Sequence, residues 1–241
     1  MQVHVFGGAD EAARAVAMVI ASEILKKPDA VLGLATGSTP VPVYRALIEM
    51  GRQGLIDFSR VRTFNLDEYV GLSPDHPQSY RRFMNEQLFD HININKANTR
   101  VPSGVAADLR AEAAAYDRAI EAAGGIDLQL LGIGVNGHIG FNEPASAFPH
   151  ATHVVDIAPS TVQANARFFD NADEVPRRAV TLGIGGIMAA RRVVLLAVGR
   201  GKAPVIQKTV AGDATPDVPA SILRFHPNAQ LFLDREAAGL L

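Results

Sequence analysis

The sequence predicts an α/β fold, a mostly parallel sheet with helices on both faces. Three observations predict it. Short β-branched and aliphatic runs alternate with longer amphipathic stretches along the whole chain. One of the short runs, AVLGLA (30–35), is apolar without a break, as a strand covered on both faces is. No repeat, linker or low-complexity tract divides the 241 residues, so one Rossmann-like domain over 1–241 is expected.

The elements follow in order. Residues 3–6 read as a strand. Residues 9–27 place Ala13, Val16, Ala17, Ile20 and Ile24 on one helix face, and Pro28-Asp29 end that helix. Strand 30–35 is followed by a helix at 40–50, a strand at 61–65 and a helix at 79–90. An Ala-rich helix at 106–123 stops at Gly124-Gly125, and 126–133 reads as a second buried strand. Residues 161–169 are expected to be helical, 179–182 and 192–198 extended, 203–211 helical up to Gly212, and 229–233 a last strand. Strands alternating with helices imply parallel pairing.

Composition narrows the function. Hydrophobic residues make up 48% and charged residues 20%, an ordinary globular balance. Net charge is -2 with no run of Lys or Arg, which argues against a nucleic-acid-binding role. There are no cysteines, so disulfides, thiolate zinc sites and cysteine nucleophiles are excluded. The start MQVHVFGGADEAARA lacks the pattern of a secretory signal, and no stretch approaches the ~20 apolar residues of a membrane span. A cytoplasmic protein without membrane contact is expected.

In such sheets ligands sit beyond the carboxyl ends of the strands, so the loops that follow strands carry the information. The first is Ala35-Thr36-Gly37-Ser38-Thr39-Pro40. Thr39 suits the N-cap and Pro40 the first helical position, while Gly37 lets backbone approach a ligand. Free N–H groups, hydroxyls and a helix dipole together make an anion site. The P-loop spacing and its lysine are absent, and a plain capped turn is the alternative.

The second loop is Phe64-Asn65-Leu66-Asp67-Glu68-Tyr69. Two acids after a strand are often a solvated turn. Here Phe64, Leu66, Tyr69 and Val70 flank them, so one acid is expected against an apolar wall, which raises a carboxyl pKa and suits a general base.

The third, LGIGVNGHIGFNEP (131–144), has glycines at 132, 134, 137 and 140, a density that implies backbone wrapped closely around a ligand. His138 can shuttle a proton, and either Asn136 or Glu143 can fix its tautomer. The G-x-G-x-x-G spelling is discounted because HIGFNEP is a poor helix. His138 and Glu143 are two potential metal ligands without a third, so no metal is expected. Two cations complete the set: Arg167 in TVQANARFF (161–169) and Lys202, directly after the strand at 192–198.

At this point the chain resembles the glucosamine-6-phosphate deaminase/isomerase family, kin of the 6-phosphogluconolactonases. The matching segments are LGLATGSTP (32–40), FNLDEYVGL (64–72), HPQSY (76–80), LGIGVNGHIGFNEPAS (131–146), ANARFFD (164–170) and GRGKA (199–203), in family order across nearly the whole chain. NLDEY combined with GHIGFNEP is highly specific. The resemblance implies conversion of glucosamine 6-phosphate to fructose 6-phosphate and ammonia in amino-sugar breakdown. It implies Asp67 as the base working between C1 and C2, and His138, supported by Glu143 and Asn136, as the ring opener. It implies Gly37, Ser38, Thr39, Arg167 and Lys202 as the phosphate grip, with no cofactor.

There are departures from the family pattern. Many members have Asp where this chain has Asn136, which leaves Glu143 to orient and charge-stabilise His138 alone. The regulated hexameric members carry basic residues after this loop and a longer tail. Here the region reads His153-Val154-Val155 and the chain ends at Leu241, so a monomer or small homo-oligomer without activation by an acetylated sugar phosphate is expected. The rivals are a 6-phosphogluconolactonase-like hydrolase, which needs neither Asp67 nor the HIGFNEP loop, and a non-catalytic sugar-phosphate-binding domain. The latter has little use for Asp67 beside His138.

Overall fold

A computed structural model describes residues 1–169 and 171–241; Asp170, the last residue of the ANARFFD segment, lies outside them. Among the described residues, ten strands fall into two sheets. The larger has seven parallel strands: β1 (Gln2–Phe6), β2 (Val31–Leu34), β3 (Arg62–Asn65), β5 (Thr99–Arg100), β6 (Leu128–Leu131), β9 (Arg192–Ala197) and β10 (Ala229–Asp234). Their order is β1-β10-β9-β6-β2-β3-β5. From β2 the chain moves outward through β3 and β5, then returns to the other side of β2 with β6. The strand order therefore reverses between β2 and β6, where a sheet of this kind opens a crevice at its carboxyl edge.

The central strands are dry for a reason legible in their composition. Every residue of β2 and β6 is buried, and Val193 to Ala197 of β9 are too. Gly33 in β2 cannot be larger, because a Cβ there would meet Gln129 Oε1 of β6 at 2.0 Å. Helix α1 (Ala9–Lys26) buries Ala12, Ala13, Val16, Ala17, Ile20, Ala21 and Ile24, one face at helical spacing, and stops ahead of Pro28. Helices α2 (Val41–Arg52) and α4 (Leu109–Ala122) complete the first half; α4 starts three residues later than predicted, where Asp108 caps it by accepting from Arg110 N and Ala111 N.

The second sheet is small and antiparallel: β4 (Asp67–Tyr69), β8 (Arg178–Thr181) and β7 (His153–Asp156), in the order β4-β8-β7. Two expectations are corrected here. The run at 179–182 is a strand of this sheet rather than of the parallel one, and Asp67-Glu68, read as loop, are themselves in a strand. The cause is a local crossover. Leu66 N donates to Leu34 O of the main sheet, whereas Leu66 O accepts from Leu182 N, so the chain changes sheets at Leu66. This sheet has its own core of Tyr69, Phe141, Ile157, Val162, Val175 and Ala179. β5, β7 and the short helix α6 (Ile184–Met188) carry no strong periodicity and escape sequence reading.

Helix α3 (Tyr80–Gln87) has Ser79 as its cap, and α5 (Pro159–Asn165) continues without a break into a 3-10 turn, Ala166–Phe168. Helix α7 (Ala203–Ala211) follows β9. Among the described residues no helix is long and apolar enough to cross a membrane.

Candidate active site

Four adjacent strands, β9, β6, β2 and β3, deliver the three loops and the GRGKA stretch to one place. The resulting cleft of about 980 Å³ is lined by Gly37, Ser38, Thr39, Asp67, His138, Arg167 and Lys202, among others. All but two of the predicted site residues thus line it; Asn136 and Glu143 stand behind His138.

The anion side is built on β2. Gly37 has φ +86, a conformation that side chains rarely adopt, and opens the turn before α2. The predicted cap is corrected: α2 starts at Val41, Pro40 is the cap residue, and no side-chain capping bond is made. Thr39 is therefore free of that duty. Lys202 sits just ahead of α7 and donates from Nζ to Ile133 O at 2.6 Å. Arg167 reaches Ser38 Oγ at 3.4 Å and stacks over Phe168, 4.6 Å from the ring centroid. Burial, then the charge of Arg167, pulls the Lys202 ammonium below its ordinary pKa. Two mutually repelling cations between two helix N-termini favour a dianion.

The acidic pair divides its labour. Asp67, 6% exposed, faces the cleft, and burial followed by the neighbouring Glu68 charge pushes its carboxyl up to about 8. Glu68 turns the other way and accepts from Tyr69 N, Tyr80 N and Arg81 N at 2.9, 2.9 and 3.0 Å. Together with Ser79 Oγ, which accepts from Arg82 N, it satisfies the first turn of α3. Burial lifts Glu68 to about 7, against the pull of those N–H groups and the Arg81 guanidinium. Its two partners in α3 lie 12 and 13 residues away, so no local pattern announces the role.

The histidine loop stands against Asp67: a Cβ on Gly140 would be 3.4 Å from Asp67 Oδ2. Thr181 Oγ1 accepts from Phe141 N at 3.0 Å, and Asn142 Nδ2 donates to Ile139 O and Leu182 O at 2.8 and 2.9 Å. These bonds fasten the loop to β8, the strand paired with β4. Gly134 is required because a Cβ there would lie 2.2 Å from His138 Cε1.

Asn136 settles the imidazole. Its Nδ2 donates to Glu143 Oε2 at 2.7 Å, and a carboxylate can only accept. Oδ1 is then turned to His138 Nδ1, 2.7 Å away, so Nδ1 carries the proton and Nε2 is the basic nitrogen. Glu143 Oε2 is 3.4 Å from Nδ1. The expectation that Glu143 alone orients His138 is corrected: the amide makes the direct contact and the carboxylate backs both. Burial would raise Glu143, but hydrogen bonding and charge from His138, with Thr161 and Asn136, hold it down at about 2. No cluster of three metal-ligating side chains occurs among the described residues.

Comparison with known proteins decides the family. The sequence model of the glucosamine-6-phosphate isomerases/6-phosphogluconolactonase family matches residues 8–232. The chain belongs to this family. Within the isomerase/lactonase family it is 53% identical to a glucosamine-6-phosphate deaminase of Thermoanaerobacter pseudethanolicus, covering 100% of this chain and 95% of that protein. It is 56% identical to one of Lachnoclostridium phytofermentans over 89% of this chain and 91% of the relative. A solved structure of a monomeric glucosamine-6-phosphate deaminase superposes with a TM-score of 0.98 at 44% identity, with both chains covered fully. The 6-phosphogluconolactonase of Trypanosoma brucei, 23% identical with a TM-score of 0.76 and covering 100% of this chain and 98% of that one, shares the fold.

Proposed function

We propose that the chain converts glucosamine 6-phosphate and water to fructose 6-phosphate and ammonia, with all of residues 1–241 forming one catalytic domain. The observation that carries the reading is a buried carboxyl, Asp67, that shares one cleft with a dianion grip and a tautomer-fixed histidine. A lactone hydrolase has no need of that carboxyl, and the lactonases are distant in sequence.

Each step has a residue. The phosphate is held by Gly37, Ser38, Thr39, Arg167 and Lys202. His138 Nε2 takes the proton of the anomeric hydroxyl as the C1–O5 bond breaks and returns it to O5, giving the open-chain aldehyde. Asn136 holds Nδ1–H in place, and the Glu143 carboxylate stabilises the transient imidazolium. Asp67 removes the C2 proton as O1 takes up one, giving an enolamine, and then delivers its proton to C1 as the amino group releases one. Water adds to the resulting C2 imine and ammonia leaves. Acid–base chemistry suffices throughout, so no cofactor is needed. The chain acts in the cytoplasm as a monomer or small homo-oligomer, a reading that the monomeric 44% identical relative supports.

An ammonia-release assay with glucosamine 6-phosphate, run beside a 6-phosphogluconolactone hydrolysis assay, tests the reading. Ammonia stoichiometric with fructose 6-phosphate is expected; lactone hydrolysis without ammonia would overturn it.

A further inference from the structure

Glu143 is only half satisfied. Oε2 is engaged by Asn136 and faces His138, while Oε1 is fully buried with no hydrogen-bond partner among the described residues. A buried carboxylate oxygen left open is costly and calls for a functional explanation. The hydroxyl of Thr161, a buried residue of the cleft wall, lies near enough to the Glu143 carboxylate to help hold it ionised, yet Oε1 receives no well-formed hydrogen bond.

Thr161 lies in α5, which runs unbroken into the 3-10 turn bearing Arg167. The same unit is tied to the cleft by Asn165 Nδ2, which donates to Tyr69 OH at 2.8 Å. Among the described residues Arg167 makes a long 3.4 Å contact to Ser38 and stacks on a partly exposed ring. A phosphate beside Ser38 and Lys202 offers the guanidinium a stronger partner. Arg167 and Thr161 thus share one helical unit, so a pull on Arg167 acts on the segment that carries Thr161.

We propose that Thr161 is a positioning residue: with the 6-phosphate bound to Arg167, its hydroxyl donates to Glu143 Oε1 and locks the His138–Asn136–Glu143 relay for ring opening. Binding energy from the non-reacting phosphate is thereby realised at the reacting end of the sugar. The inference rests on the deaminase reading above.

The test measures kcat and KM for ammonia release. Thr161→Val is expected to lower kcat about tenfold, the worth of one charge-assisted hydrogen bond, with KM within about twofold. Thr161→Ser should restore kcat to within about twofold of wild type, and Thr161→Ala serves if the valine variant does not fold. In an Arg167→Ala background, removing the Thr161 hydroxyl should cost less than about twofold, because the coupling is already broken. Wild-type kcat in Thr161→Val, or the same tenfold loss in both backgrounds, would overturn the proposal. A wild-type protein that releases no ammonia would instead sink the deaminase reading itself.

Discussion

Replacing Asp67 by Asn tests the core of the mechanism in two independent ways. The amide fills the same volume beside Gly140 but cannot accept a proton, so kcat should fall by at least about a thousandfold while substrate binding stays within about tenfold. The second effect is on stability. The folded protein keeps a proton on Asp67 up to about pH 8, against an ordinary value of 3.8. Between those values the unfolded chain binds fewer protons, so this group makes stability fall as pH rises and level off above 8. From pH 6 to 8 the loss is two units at about 1.4 kcal/mol each, on the order of 3 kcal/mol. For a domain of this length, at about 2–4 °C per kcal/mol, that is roughly 6–12 °C in Tm. Wild type should therefore lose that much more than Asp67→Asn between pH 6 and pH 9 in parallel thermal melts. Wild-type kcat/KM should also climb with pH until about 8. A variant that keeps more than about a tenth of kcat, or melts that track wild type at both pH values, would refute Asp67 as a buried base.

Three further outcomes are expected. Glu68→Gln should destabilise the fold by about 1–3 kcal/mol, because an amide cannot accept from three N–H groups as a carboxylate does, while kcat per folded molecule changes little; urea unfolding and active-site titration measure both. Lys202→Ala should raise KM far more than it lowers kcat, since Lys202 lies off the α5 unit and its phosphate contact stabilises ground and transition states alike; steady-state kinetics with glucosamine 6-phosphate against free glucosamine checks it. Saturation by glucosamine 6-phosphate should be hyperbolic and unaffected by N-acetylglucosamine 6-phosphate, because residues 144–160 contain no Lys or Arg to bind a second phosphate; a sigmoidal curve would show a regulatory site.

The amino-acid sequence by itself determined the alternation of strands and helices and the chemistry of the strand-end loops. Both are local: apolar periodicity, Gly and Pro punctuation, and acid, imidazole and cation types at loop positions act over a few residues. AVLGLA reads as a covered strand because only burial on both faces suits six apolar residues in a row, and β2 is buried throughout. Tertiary structure decided what depends on partners distant in the chain. The strand order put β2 beside β6, so that Gly37–Thr39 and the His138 loop share a cleft. Asp67 and Glu68 are adjacent and alike, and extended backbone sends their side chains to opposite faces, one to the cleft and one to the start of α3. The residues at 179–182 look like any buried strand, and only the change of sheet at Leu66 recruits them to the antiparallel one. Whether Asn136 or Glu143 orients His138 was open from spacing alone; the 2.7 Å amide contact and the 3.4 Å carboxylate distance resolve it, because hydrogen-bond direction is a property of three-dimensional geometry.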